Sequence, residues 1–75
     1  MFGLPSGTIY VIDKKGNRIP IASTDISSIT DFEDELIYLF SSRRIGLDIK
    51  LYDYAEYQNR YGQVIFSFDL KELNI

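Results

Sequence analysis

Along most of the chain, apolar residues recur at every second position, and between Thr30 and Gly46 they recur at every third or fourth. The stretch TIYVIDKKGNRIPIA (8–22) follows the shorter period on both sides of a polar turn, which predicts a β-hairpin. Asp13-Lys14-Lys15-Gly16-Asn17 suits a three-residue loop on a type I turn, with Gly16 left-handed as a G1 bulge. Setting Asp13 against Asn17 brings Ile9 opposite Ile21 and Val11 opposite Ile19, four apolar residues on one face. Thr8, Tyr10, Ile12, Arg18 and Pro20 then share the other face. Pro20 cannot donate to a ladder, so its strand is expected at a sheet edge. Residues 1–7 read as a short arm, with Pro5, Ser6 and Gly7 as a turn before the first strand.

TDFEDELIYLFSSRRIG (30–46) carries the longer period, with Phe32, Leu36, Leu39, Phe40 and Arg43 along one helical face. Thr30 and Glu33 fit a capping box at its start. Asp31, Glu33, Asp34 and Glu35 crowd the first turns, Arg43 and Arg44 occupy the last, and Gly46 is placed for a left-handed C-terminal cap. In the polar connection 23–29, Ile26 and Ile29 are expected to tuck beneath the sheet.

Alternation returns in LDIKLYDYA (47–55), with Leu47, Ile49 and Leu51 set against Asp48, Lys50, Tyr52 and Tyr54. It returns again in QVIFSFDLK (63–71), with Val64, Phe66, Phe68 and Leu70 set against Ile65, Ser67, Asp69 and Lys71. Charge selects a register: Leu51 opposite Phe68 places Lys50 across from Asp69 and Asp48 across from Lys71. The connecting loop is then Gln58-Asn59-Arg60-Tyr61, with Gly62 after it. A short helix over 53–61 competes, because Tyr54, Tyr57 and Tyr61 also follow helical spacing. The tail from Glu72 is expected to end or fray.

The expected fold is α+β: a two-layer sandwich in the order β-β-α-β-β, with one amphipathic helix on one face of a four-stranded, mainly antiparallel sheet. That order and length are similar to the β-grasp (ubiquitin-like) architecture, and a plain antiparallel sheet with a crossing helix satisfies them equally. The 75 residues suit one domain.

Composition narrows the function classes. The chain has no Cys and no His, which removes disulfides, the usual zinc ligand sets and His-assisted nucleophiles. A net charge of −3 argues against a dedicated nucleic-acid binder. No apolar run of membrane-spanning length and no signal-peptide pattern is seen, so a cytoplasmic location and no membrane partner are expected. Eleven Ile and six Tyr suggest an AT-rich coding sequence, which points towards a phage, viral or prokaryotic source.

Candidate chemistry is sparse. Asp25, Asp31, Glu33, Asp34 and Glu35 could be read as a metal site or a mimic of phosphates, but helix capping accounts for the helical four. Asp48 and Asp53 are better explained as solvated carboxylates than as an acid–base pair. No phosphate-binding or nucleophile-elbow motif occurs, and so small a chain has little room for the ~300 Å³ cleft that ligand sites usually need. No cofactor, no metal and no enzymatic activity are expected. Capping does not explain the far side of the sheet, where Tyr10, Ile12, Tyr52, Tyr54 and Ile65 collect, rimmed by Arg18, Lys50 and Asp69. Aromatic patches of this kind serve protein partners or self-association, so a small interaction module of the accessory or inhibitory kind is expected, with a homodimer among its forms. The alternative reading is a single-stranded nucleic-acid binder that stacks bases on Tyr10, Tyr52 and Tyr54 between Lys14, Lys15, Arg18, Arg43, Arg44 and Arg60.

Overall fold

The computed structural model describes residues 7–42 and 46–73. The arm before Gly7, the arginines 43 and 44 and the last two residues lie outside the described residues. Strands β1 (Gly7–Asp13) and β2 (Arg18–Thr24), helix α1 (Ile29–Ser41), then β3 (Tyr52–Asn59) and β4 (Val64–Asp69) follow one another. Two 3₁₀ turns, Ile49–Leu51 and Leu70–Glu72, precede β3 and follow β4. The sheet order is β2-β1-β3-β4 and every neighbouring pair is antiparallel. Of the two arrangements the element order allowed, the plain antiparallel sheet is the one observed. Among the described residues no helix is long and apolar enough to cross a membrane.

The first hairpin forms as its turn chemistry predicts. Gly16 has φ +88°, its N–H donates to the Asp13 carbonyl at 3.0 Å, and the Asp13 N–H donates to the Asn17 carbonyl at 3.0 Å. Val11 faces Ile19 as expected, but Ile9 faces Ala22 and not Ile21. Ile21 is an extra residue in a β-bulge, which lets both Ile21 and Ala22 reach the core. Pro20 does lie on an edge strand, β2.

The helix starts earlier than expected. Its N-cap is Ser28, whose hydroxyl accepts from the Asp31 N–H at 3.1 Å, and the Ser27 hydroxyl donates to Asp31 at 2.6 Å. Ser28-Ile29-Thr30-Asp31 and Thr30-Asp31-Phe32-Glu33 are overlapping cap patterns, and the upstream one adds backbone hydrogen bonds without rotating the apolar face. The helix also stops earlier, at Ser41 with Ser42 extended, so Gly46 is not its C-terminal cap although it is left-handed at φ +61°. Two successive serines favour that exit, since the Ser42 hydroxyl contacts the Leu39 carbonyl at 3.5 Å. Phe32, Leu36 and Leu39 are buried as the period predicts. Ile26 packs on the core, whereas Ile29 is exposed and does not tuck under the sheet.

The second hairpin differs most from expectation. Residues 46–51 are not strand. The Asp48 carboxylate accepts from the Lys50 N–H at 3.0 Å and turns the chain into a 3₁₀ turn. Strand β3 begins at Tyr52 and occupies the segment for which loop and helix competed. Phe68 faces Ala55 rather than Leu51, and Asp69 faces Tyr54 rather than Lys50, so the register lies four residues further on. Asn59-Arg60-Tyr61-Gly62-Gln63 explains why, because it repeats the first turn. The Gly62 N–H donates to the Asn59 carbonyl at 3.0 Å, the Asn59 N–H donates to the Gln63 carbonyl at 2.9 Å, and Gly62 has φ +80°. In both loops the leading side-chain oxygen accepts the N–H groups two and four residues later.

Directly paired residues share a face, so the ladders define the core. One row runs Ile19, Val11, Ala55, Phe68, and the next runs Ala22, Ile9, Tyr57, Phe66. Helix α1 covers these rows with Phe32, Leu36 and Leu39. Ile9, Val11, Phe32 and Leu36 are fully enclosed, each worth about 1.5–3 kcal/mol relative to exposure. Phe32, Tyr57 and Phe66 form a ring cluster with centroids 6.1–6.3 Å apart, tying the helix to β3 and β4.

Candidate functional site: the open face of the sheet

The face opposite the helix is built from the same ladders. Its three rows are Arg18, Ile12, Tyr54, Asp69, then Pro20, Tyr10, Glu56, Ser67, then Ser23, Thr8, Gln58, Val64. Tyr10, Ile12, Arg18, Tyr54 and Asp69 therefore stand where the sequence reading put them. A bulge in β4 leaves Ile65 unpaired next to Val64, and the two are 47% and 48% exposed, with Tyr54 at 49%.

Two expected members are elsewhere. Tyr52 is half-buried and packs on the core. It pairs with Asp13 while Tyr54 pairs with Ile12, so Asp53 is an inserted bulge residue and the two tyrosines point to opposite sides. Lys50 is in the 3₁₀ turn before β3, where it lines a cleft with Tyr52 and Leu70 of the core side.

Glu56, which the sequence reading passed over, sits at the centre of the face. The Arg18 guanidinium reaches across β1 and donates to both Glu56 oxygens, through Nε at 2.9 Å and through a terminal nitrogen at 3.4 Å. Gln58 donates to the same carboxylate at 3.3 Å. The Arg18 hydrogen bond holds the Glu56 carboxyl below the usual glutamate range against the opposing effect of burial, with help from Gln58. The same pairing raises the Arg18 guanidinium. Charge alternation between strands that are not adjacent in sequence was the only available signal, and it requires the strand order to be known.

The lysines gather at another place. Lys14, Lys50 and Lys71 surround a shallow cleft of about 330 Å³ floored by Ile49, Tyr52, Leu70 and Leu73, and Lys15 lines the adjoining hollow. The chain thus has room for a cleft that its length argued against. In three Asp-x-Lys turns the carboxylate of Asp13, Asp48 or Asp69 accepts the N–H of Lys15, Lys50 or Lys71 at 2.9–3.0 Å. Backbone capping thus accounts for Asp48, and a 3.0 Å ion pair to Lys14 accounts for Asp53. Among the described residues no three carboxylates form a group that could hold a metal ion. Tyr61 is 79% exposed at its turn and Arg60 beside it is exposed, far from Tyr10 in the ladder.

No protein-family model matches the chain, and neither a curated protein nor a solved structure matches it at a significant level.

Proposed function

We propose that this chain is a small non-enzymatic interaction module whose open sheet face docks onto another protein. One observation carries the reading: the charges at the centre of that face are already paired within the chain, Arg18 with Glu56, among Tyr10, Ile12 and Tyr54. A face of half-exposed aromatic and aliphatic groups whose central ions are satisfied internally can be covered at its centre without stranding a charge. The same arrangement favours protein over single-stranded nucleic acid. Tyr54 has the Asp69 carboxylate as its ladder neighbour, and that charge repels phosphates. Lys14 and Arg18, two of the cations required by the nucleic-acid reading, are held by Asp53 and Glu56.

Tyr10→Lys with Tyr54→Lys is the test, since both side chains face outward on central strands. Proteins captured by the wild-type chain from cells that express it should be lost with the double variant, while circular dichroism shows the same fold. Equal capture by both would overturn the reading. Binding of single-stranded oligonucleotides that weakens steeply with salt would replace it with the alternative.

A further inference from the structure

We propose that β4 is a strand-pairing edge and that its occupant is β4 of a second copy of this chain, the two sheets joining antiparallel across a twofold axis. The two edges of the sheet are built differently. Strand β2 carries Pro20, which has no N–H, the exposed Arg18 and a bulge at Ile21, three devices that discourage strand addition. In β4 the bulge lies at Ile65, near the start, and Phe66-Ser67-Phe68 then runs regularly with no Pro, Gly or charge before Asp69. Among the described residues no strand pairs with its outer side, and the 3₁₀ turn after it packs back towards β3. A regular, apolar edge with open backbone donors and acceptors is a template for another strand.

The sequence of β4 favours a copy of itself. In a shared sheet, paired residues must lie on the same face. Placing Ser67 on the twofold axis sets Phe66 against Phe68 on the helix side, twice over, and sets Ile65 against Asp69 on the open side. Face therefore matches across the regular run Phe66-Ser67-Phe68, the small Ser67 meets its copy at the axis, and the two Asp69 carboxylates stay apart. Because the sheets become continuous, Tyr54, Val64 and Ile65 of both copies would join one wider open face. This inference does not rest on the proposed docking function, since it uses backbone at the edge and not the tyrosines.

The test is sedimentation velocity over a range of concentrations, with amide exchange of β4 followed by NMR. A free edge leaves alternate amides from Ile65 to Asp69 open to exchange, and the dimer protects the whole run. Wild-type chain is expected to sediment as a dimer that dissociates on dilution, with the alternating exchange pattern appearing as it does. Ser67 is exposed, so Ser67→Lys leaves the monomer fold intact and places two ammonium groups face to face, raising the dissociation constant about tenfold or more. A wild-type chain that stays monomeric with alternate β4 amides exchanging freely overturns the proposal, and that measurement needs no variant. So does a dimer indifferent to Ser67→Lys but abolished by Tyr10→Lys with Tyr54→Lys, an outcome that would leave the docking face standing.

Discussion

Single residues show how closely this small core is adjusted, and Tyr57 is the clearest case. Its ring is buried between Phe32 and Phe66, while its hydroxyl donates to the Thr24 carbonyl at 2.9 Å and accepts from the Ile26 N–H at 3.2 Å. To reach them the ring passes over Gly7, where any side chain would strike the Tyr57 ring end and the Gln58 carbonyl. Only glycine leaves that gap. Tyr57 thereby ties β3 to the chain leaving β2, so Tyr57→Phe should lower stability by about 1–3 kcal/mol, because part-buried backbone groups lose their partner. Urea unfolding measures it, and an unchanged midpoint would mean that water replaces the hydroxyl at no loss. None of this was legible beforehand, since a tyrosine in YDYAEYQN carries no sign of which of its neighbours is buried.

At the scale of elements, local chemistry decided that a segment turns or coils, and the competition between nearby signals decided where. Ser28 and Thr30 make the sharpest contrast. Ser28→Ala should cost about 1 kcal/mol as a lost N-cap, and Thr30→Ala, inside the first turn, should be nearly neutral. The reverse order in thermal or chemical melts would restore the cap to Thr30. The two turns led by Asp13 and Asn59 make a second contrast. They share one hydrogen-bond pattern, yet only the first was placed correctly from sequence. Around the second, charge pairing between Lys50 and Asp69 selects a register that the turn led by Asn59 overrides. A cross-strand ion pair contributes only tenths of a kcal/mol, whereas left-handed glycine and two side-chain-to-amide bonds fix where a strand must end.

Across the whole molecule, acid stability follows from one pair that joins distant strands and from one local turn. Glu56 has its folded-state pKa lowered from an ordinary value of 4.5, by Arg18 first, and Asp13 is lowered from 3.8, first by the Asn17 backbone N–H. A depressed carboxyl stabilises the fold above its unfolded pKa, and that contribution disappears as pH falls through its folded value. Stability should therefore be level above about pH 5 and decline below about pH 4. Glu56→Gln should be less stable than wild type near neutral pH, with the gap closing in acid and in high salt, as expected of a partly exposed pair. A gap independent of pH would show that Glu56 acts through packing. At this scale, too, the open face gains its character: Arg18 and Glu56 are 38 positions apart in sequence and meet only because β1 lies between β2 and β3.

The amino-acid order by itself determined that two hairpins flank one helix, that Phe32, Leu36 and Leu39 face inward, that Gly16 turns left-handed, and that Tyr10, Ile12, Arg18 and Tyr54 look away from the core. Each of these follows from period, turn or cap signals within a few residues. Tertiary structure alone decided the strand order and the side on which Tyr52 lies. Faces change at the bulges at Ile21, Asp53 and Ile65, one in each strand pairing. One inserted residue reverses which alternate positions are inward, and its place is chosen by long-range fit, such as Tyr57 reaching Thr24 across Gly7, which no local pattern records.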